Sequence, residues 1–352
     1  MKLLIVNPGS TSTKIGIFED ENLILEKVLR HQTEELKKFS KITDQYSFRL
    51  GFIEEALKEA NLEIADFDGV VGMGGLLKPI SGGTYIVNQK LVDDLSSGSY
   101  GEHASNLGGI IAYALGQKIG KPSFIVDPVV VDEFNDVARI SGHPKIKRRS
   151  IFHALNQKAI ARLHCDKIGK QYDEVTFIVA HMGGGISIGL HKNGRVVDAN
   201  NALDGEGPFT PERSGSLPVG DLVTLCYSGV AQSEIKKMIV GNGGFTAYFG
   251  TNNMIEIAER AKNEPEVGLV FDAFTYQIAK EIAALSTVAC GKVNAILLTG
   301  GIVYNPDIVN KIRERVGFIA PVIAYPGEDE LKALAQGALR VLKGEEEGKV
   351  YN

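Results

Sequence analysis

Apolar positions along the chain fall into two periods, and their order predicts an alternation of strands and helices. Residues 3–7 and 13–18 read as strands joined by a short polar loop, and 23–29 as a third strand. Phe52, Ile53, Ala56, Leu57 and Ala60 then recur at helical spacing. Residues 68–72 (DGVVG) read as a short buried strand, 104–119 as a helix and 123–127 (SFIVD) as another strand. A helix is expected over 153–168, opened by the polar run KIKRRS at 145–150. A strand follows over 175–180, and Asn193-Gly194 marks a type I′ hairpin turn. Residues 267–289 read as one long, largely apolar helix. The end alternates: strand 295–299, helix 307–316, strand 322–325, helix 329–342, then a tail EEEGKVYN expected to be solvated and frayed.

This order is α/β, and 352 residues exceed what one core usually serves, so two domains are expected. An internal echo supports the division. Ile5-Val6 repeats as Ile178-Val179, and Ile15-Gly16-Ile17 as Ile188-Gly189-Leu190, at one offset of about half the chain. Each copy places a glycine-rich loop between two strands and follows it with a third. The expectation is two related domains whose loops face each other across a cleft and grip a polyphosphate from both sides.

Composition narrows the function. A net charge of -5 argues against a nucleic-acid protein. Cys165, Cys226 and Cys290 are scattered with no CxxC pair, so neither a disulfide framework nor a zinc site is expected, and a reducing compartment fits. No apolar run suits a signal peptide or a membrane span, which points to a cytoplasmic protein. The 40 glycines cluster in pairs, with a triple at 183–185; such loops let backbone approach a ligand closely.

The loops suggest phosphate chemistry outside the common motifs. There is no GxxxxGK[ST] leading into a helix and no GxGxxG after a strand. The first loop, within NPGSTSTK, offers backbone N–H groups, the hydroxyls of Ser10, Thr11, Ser12 and Thr13, and the Lys14 ammonium. Asn7, at the strand end, offers an amide oxygen for a metal-bound water. By itself the stretch reads equally as a plain turn. HMGGG at 181–185 strengthens the case, because three bare glycines after a buried strand carry an entropic cost that close approach to an anion explains. His181 alone reads as a packed strand-end histidine. Thr299-Gly300-Gly301, between a buried strand and a helix, suits nucleotide contact or an ordinary connection. The polar connection 201–221 holds a single arginine, Arg213, which reads as a phosphoryl-binding group or a surface charge.

Taken together and in order, NPGSTSTK, GGLLKPISGGTY, GEHASNLGG, FIVDPVVVDE, FHALNQKA, HMGGGIS, DGEGPFTPERSGSLPVGDL, LTGG and APVIAYPGEDE resemble the butyrate kinases of the acetate kinase family. That family belongs to the actin-like and sugar-kinase-like ATPase superfamily. The resemblance implies two βββαβα-type, ribonuclease H-like domains around a nucleotide cleft. The first would span 1–155 and carry the first phosphate loop and acyl contacts, completed by a C-terminal helix at 329–345. The second, 156–328, would bind nucleotide. The implied reaction is reversible phosphoryl transfer between ATP and a short-chain fatty acid, with Mg2+, in a homodimer or larger assembly.

Residue roles follow where the motifs match. Arg213 would stabilise the transferring phosphoryl group, His153 would lie beside it, and Asp127 would sit near metal and substrate. His181 with Gly183, Gly184 and Gly185 would cover the nucleotide phosphates, as would Asn7, Ser10, Ser12 and Lys14. Gly300 and Gly301 would form the adenosine-side turn. The metal-side acid is expected within Glu328-Asp329-Glu330, with Glu328 favoured beside Asn7. The substrate side would include Met73, Gly74 and Gly75. Met73 departs from the family, which usually has an arginine there to hold the carboxylate and phosphoryl oxygens. Loss of such a charge-assisted contact costs on the order of 1.5–3 kcal/mol unless Arg213 or a cation such as Lys78 compensates. The resemblance leaves open a branched or otherwise different short acid as substrate. An actin-like or chaperone-like ATP-driven protein is the non-enzymatic alternative.

Overall fold

In the computed structural model, which describes residues 1–352, the opening hairpin forms as its apolar alternation requires. β1 (Lys2–Pro8), β2 (Ser12–Glu19) and β3 (Asn22–Arg30) pair antiparallel in succession. Leu4, Val6, Ile15 and Ile17 project from one face into a core with Ile53 and Leu57 of helix Tyr46–Glu59 and Leu107 and Ile111 of helix Asn106–Ile119. β4 (Gly69–Gly72) lies parallel to β1, β6 (Ser123–Val126) parallel to β4, and β5 (Thr84–Ile86) antiparallel to β6.

The second half repeats this plan. After a small hairpin, β7 (Ile140–His143) and β8 (Ile146–Lys147), come β9 (Thr176–Met182), β10 (Ile186–Lys192) and β11 (Arg195–Ala199), again an antiparallel meander. β12 (Ala295–Gly300) and β13 (Val322–Pro326) complete the sheet in parallel, in the order β11-β10-β9-β12-β13. β9 is buried on both faces. Ile178, Ala180 and Met182 join the core of the long helix Pro265–Val288, while Phe177 and Val179 pack with Ala161 and Cys165 of helix Ala154–Ile168. Asn193 and Gly194 have φ of 53° and 72°, as the I′ turn demands. No helix is long and apolar enough to cross a membrane.

The chain's last residues correct the expectation of a frayed tail. Lys349–Val350 form β14, parallel to β5 at the edge of the first sheet, whose order is β14-β5-β6-β4-β1-β2-β3. Tyr351 is 1% exposed, and its hydroxyl donates to Asp94 at 2.8 Å while its carbonyl accepts from Asn88 Nδ2 at 2.8 Å. Five polar residues in EEEGKVYN hide one aromatic anchor, and the anchor decides the placement.

The common core order, 3-2-1-4-6 in the first sheet and 11-10-9-12-13 in the second, makes the sequence echo a topological repeat. The constant offset holds along one arm only. Ile5 faces Gly16, but Gly189 faces Val179, so the second hairpin connection is one residue shorter. Two compact units result: Met1–Val131 with Asp329–Asn352, and Asp132–Glu328. The first break precedes residue 155 because the intervening segment is bonded into the second unit. Asn135 N donates to Val197 O at 2.9 Å, Arg148 meets Asp198 at 2.9 Å, and buried Lys158 meets Glu133 at 2.9 Å.

One buried cation organises the first loop. Arg49 is 0% exposed and lies on the inward face of helix Tyr46–Glu59 with Ile53, Ala56 and Leu57. Its Nη1 donates to the carbonyls of Gly9 (2.8 Å) and Ser12 (2.9 Å) and to Thr13 Oγ1 (3.1 Å). Its Nη2 donates to Ser10 O (3.1 Å), and Gln45 Oε1 accepts from Nη2 and Nε. Burial lowers its pKa to about 10, so it stays charged at neutral pH with no carboxylate partner. Arg49→Met leaves those carbonyls bare, and we expect about 3 kcal/mol less protection of the β1–β2 amides in hydrogen exchange. Arg49→Lys should recover only part of it, since one ammonium cannot reach every acceptor. Unchanged protection in Arg49→Met would show that the loop holds itself.

Candidate active site

Open α/β sheets bind ligands at the carboxyl ends of their parallel strands. In the second unit β9, β12 and β13 end together: His181, Thr299 and Tyr325 are register partners. The HMGGG loop leaves this edge. Gly183 N donates to Gly185 O (3.0 Å), and Thr210 Oγ1 donates to Gly184 O (2.7 Å). The carbonyls of Gly184 and Gly185 are thus held by the protein, whereas no protein acceptor meets the N–H groups of the same two residues. Gly300 abuts the loop from β12. Its φ is 97°, and a Cβ there would lie 2.3 Å from Met182 O, so only glycine fits. Gly301 beside it is exposed, with open space before its α-carbon.

Strand parity brings the two histidines together. His181 shares the face of Phe177 and Val179, toward helix Ala154–Ile168, and His153 immediately precedes that helix. Their rings stack with centroids 4.2 Å apart. Burial lowers the His181 pKa to about 4. Burial, then His181 and Arg213, holds His153 well below the usual imidazole range. Both are neutral at physiological pH. Glu328 Oε2 lies 3.3 Å from His181 Nε2.

Arg213 completes the group. A Cβ on Gly185 would fall 2.3 Å from Arg213 Nη1 and 3.3 Å from His153 Cε1, so the bare α-carbon lets both approach the loop. Arg213 Nη1 donates to Ala202 O at 2.5 Å, and its N–H donates to Thr210 Oγ1 at 3.0 Å. Thr210 therefore ties the arginine segment to the glycine loop. Arg213 Nε and His181 Nδ1 are buried with no hydrogen-bond partner. Buried polar atoms are rarely left so; the other such atom, His31 Nδ1 in the first unit, belongs to a ring packed against Phe48 and Phe52.

In the first unit the parallel strands β1, β4 and β6 likewise end together, carrying Asn7, Met73 and Asp127. Met73 N donates to Val6 O at 2.9 Å. Asp127 adopts φ 38°, strained for a non-glycine residue, and Oδ1 accepts from Gly83 N at 2.7 Å. The first loop repeats the logic of the second. Arg49, His31 N and Gly9 N take the carbonyls of Gly9, Ser10, Thr11 and Ser12, while the N–H groups of Ser10 and Thr11 meet no protein acceptor.

Several expected residues have other partners. Asn7 Nδ2 donates to Glu330 Oε2 at 2.6 Å, so the acid beside Asn7 within its own unit is Glu330, not the favoured Glu328. Asp329 caps the last helix by accepting from Lys332 N. Lys14 shares the face of Asn7 but sits 3.6 Å from Glu26 on β3. Lys78 donates to the Asn352 carbonyl and lies over the Tyr351 ring, which engages it away from Met73. Gly74 and Gly75 are packing glycines: a Cβ would fall 2.5 Å from Pro128 Cβ or 2.4 Å from Asn106 Oδ1. No group of three or more acidic, histidine or cysteine side chains is placed to hold a metal. The Asn7–Glu330 pair suits magnesium, which typically takes one or two carboxylates and completes its shell with water and phosphate. Sequence reading missed Arg49, Thr210 and Gln157, and it named Glu330 only as one of three candidate acids. Arg49 carries no signal, since an arginine in an amphipathic helix reads as solvated.

Comparison with known proteins gives the family and the fold. The sequence profile of the acetokinase family matches residues 142–320. Butyrate kinase 1 of Clostridium acetobutylicum is 56% identical over 352 residues, covering 99% of both chains. Butyrate kinase 2 of that organism is 54% identical over the same share. The crystal structure of Porphyromonas gingivalis acetate kinase covers 97% of this chain and 99% of its own, with TM-score 0.78 at 20% identity, a likeness of fold. A propionate kinase from Francisella tularensis follows at TM-score 0.71 and 18% identity, covering 96% and 98%. This chain belongs to the acetokinase family.

Proposed function

We propose that the chain transfers the γ-phosphoryl group of ATP reversibly to the carboxylate of a short-chain fatty acid, butyrate foremost, giving an acyl phosphate and ADP. One observation carries the reading: both glycine-bearing loops turn carbonyls to the protein and leave N–H groups open, and in the second unit Arg213 Nε stands unpaired beside them. Such a surface is built for anionic oxygens. The names of the full-length relatives supply the acceptor.

Phosphoryl transfer needs position and charge neutralisation more than covalent chemistry. The acid's carboxylate is already a nucleophile, so no general base is required, and direct in-line transfer follows. Arg213, His153 and the N–H groups of Gly184 and Gly185 would offset charge on the equatorial oxygens. Ser10 and Ser12 would serve the first loop, and Gly300 and Gly301 the adenosine side. Glu330 with Asn7 would hold magnesium, which when bound neutralises phosphate charge. Asp127, in its strained conformation, would face the same edge. The exposed free thiols Cys226 and Cys290 fit a reducing cytoplasm, and a homodimer or larger assembly is part of the reading.

The direct experiment incubates the protein with ATP, magnesium, hydroxylamine and a panel of short acids. Acyl hydroxamate should form with butyrate at a higher kcat/KM than with acetate or branched acids. ADP release without hydroxamate for any acid would overturn the reading in favour of a nucleotide-driven protein. Met73 has its own test. Lys78 is engaged elsewhere, so the arginine that the family usually carries has no substitute from that side. Met73→Arg should raise kcat/KM for butyrate by about tenfold or more, as a regained charge-assisted contact implies. No gain would show that this chain orients its acid without that contact.

A further inference from the structure

His153 has two possible neutral tautomers, and only one presents a donor where Arg213 and the glycine loop converge. The choice is made by a polar chain buried behind it. Helix periodicity puts Gln157 one turn after His153, and strand alternation puts Ser187, Gly189 and His191 on the face of β10 turned to that helix, opposite core residues Ile186, Ile188 and Leu190. Gly189 clears the path: a Cβ there would lie 2.5 Å from Gln157 Oε1.

The hydrogen-bond directions can be assigned without choice. Gln157 Nε2 lies 3.0 Å from the Ser187 carbonyl, which only accepts, so this end of the amide is the donor. The same nitrogen donates to Ser187 Oγ at 2.7 Å, and His153 N donates to Oγ at 3.2 Å. Both acceptor sites of the hydroxyl are filled, so its one hydrogen goes to His153 Nδ1 at 2.9 Å. At the other end Gln157 Oε1 accepts from His191 Nε2 at 3.0 Å, and His191 Nδ1 accepts from the Tyr172 hydroxyl at 2.7 Å. Burial keeps both imidazoles neutral.

We propose that Gln157, acting through Ser187 and anchored by His191 and Tyr172, is a positioning residue that locks His153 in its Nε2–H tautomer. The outward nitrogen then donates a hydrogen bond to the transferring phosphoryl group rather than offering it a lone pair. This rests on the assignment of His153 to that group under the proposed function.

The test uses the full-length protein labelled with 15N at histidine. Two-bond 1H–15N correlation spectra distinguish the tautomers, and His153→Gln assigns the His153 signals by their loss. The expected result is a protonated Nε2 and a bare Nδ1 in the parent protein. Gln157→Leu should then show tautomer averaging and a kcat lower by roughly tenfold, with KM for ATP unchanged. Ser187→Ala should do the same should Gln157→Leu fold poorly. In the His153→Gln background, whose amide donor has no tautomer, Gln157→Leu should add little further loss. A protonated Nδ1 in the parent, or an unaltered tautomer in both chain variants, would overturn the proposal. If the Nε2–H form is found but His153→Ala keeps the parental kcat, the lock stands and the role of His153 in phosphoryl transfer falls.

Discussion

The site in the second unit depends on a missing atom. Gly185 has no Cβ, and in that space lies the Arg213 guanidinium, with the His153 ring close by. Other contacts follow from this one. Thr210 bonds both the glycine loop and the arginine segment, which holds the cation against the loop. Strand parity turns His181 toward the helix that His153 immediately precedes, so the two rings stack beside it. A cation, two neutral histidines and bare amides therefore meet at the carboxyl edge of three parallel strands. Preorganised donors of this kind stabilise charge without reorganising when it develops.

The two units reach similar ends by different means. Each loop turns carbonyls into the protein so that N–H groups remain outside. In the second unit a threonine hydroxyl takes the Gly184 carbonyl and the loop's own amide takes that of Gly185. In the first unit a buried guanidinium takes most of the carbonyls. The cost of burying Arg49 without a carboxylate is offset by its hydrogen bonds, and its charge lies directly behind the loop. A duplicated topology has thus kept the outward chemistry while its internal support diverged, as the one-residue difference in hairpin length also shows.

Much of this was legible in the residues. Apolar periodicity located the strands and helices that carry the site, and the echo between Ile5-Val6 and Ile178-Val179 announced the repeated plan. HMGGG and Arg213 were readable because glycine triplets and a lone loop arginine are unusual enough to need a reason. What stayed hidden was support. Arg49 looks like any helical arginine until its face is seen to be inward. Gln157 and Ser187 matter through hydrogen-bond direction, which no spacing encodes. The terminal strand was hidden by its charged neighbours, although Lys349–Val350 pair with the first sheet and buried Tyr351 anchors them. That Glu330 lies beside Asn7 while Asp329 caps the last helix is a matter of single-residue geometry.

The central claim is that the position of Arg213 against the loop, rather than nucleotide binding in general, sets the rate of transfer. Gly185→Ala addresses it most directly. Position 185 is not in the left-handed region, so alanine needs no left-handed backbone; its Cβ displaces chiefly the guanidinium, 2.3 Å away, and presses only slightly on the His153 ring, 3.3 Å away. The measurement is the single-turnover rate of acyl phosphate formation, read beside the dissociation constant for ADP. The account predicts a fall in rate on the order of a hundredfold with ADP affinity within a few-fold of the parent. A near-parental rate in the folded variant would contradict it.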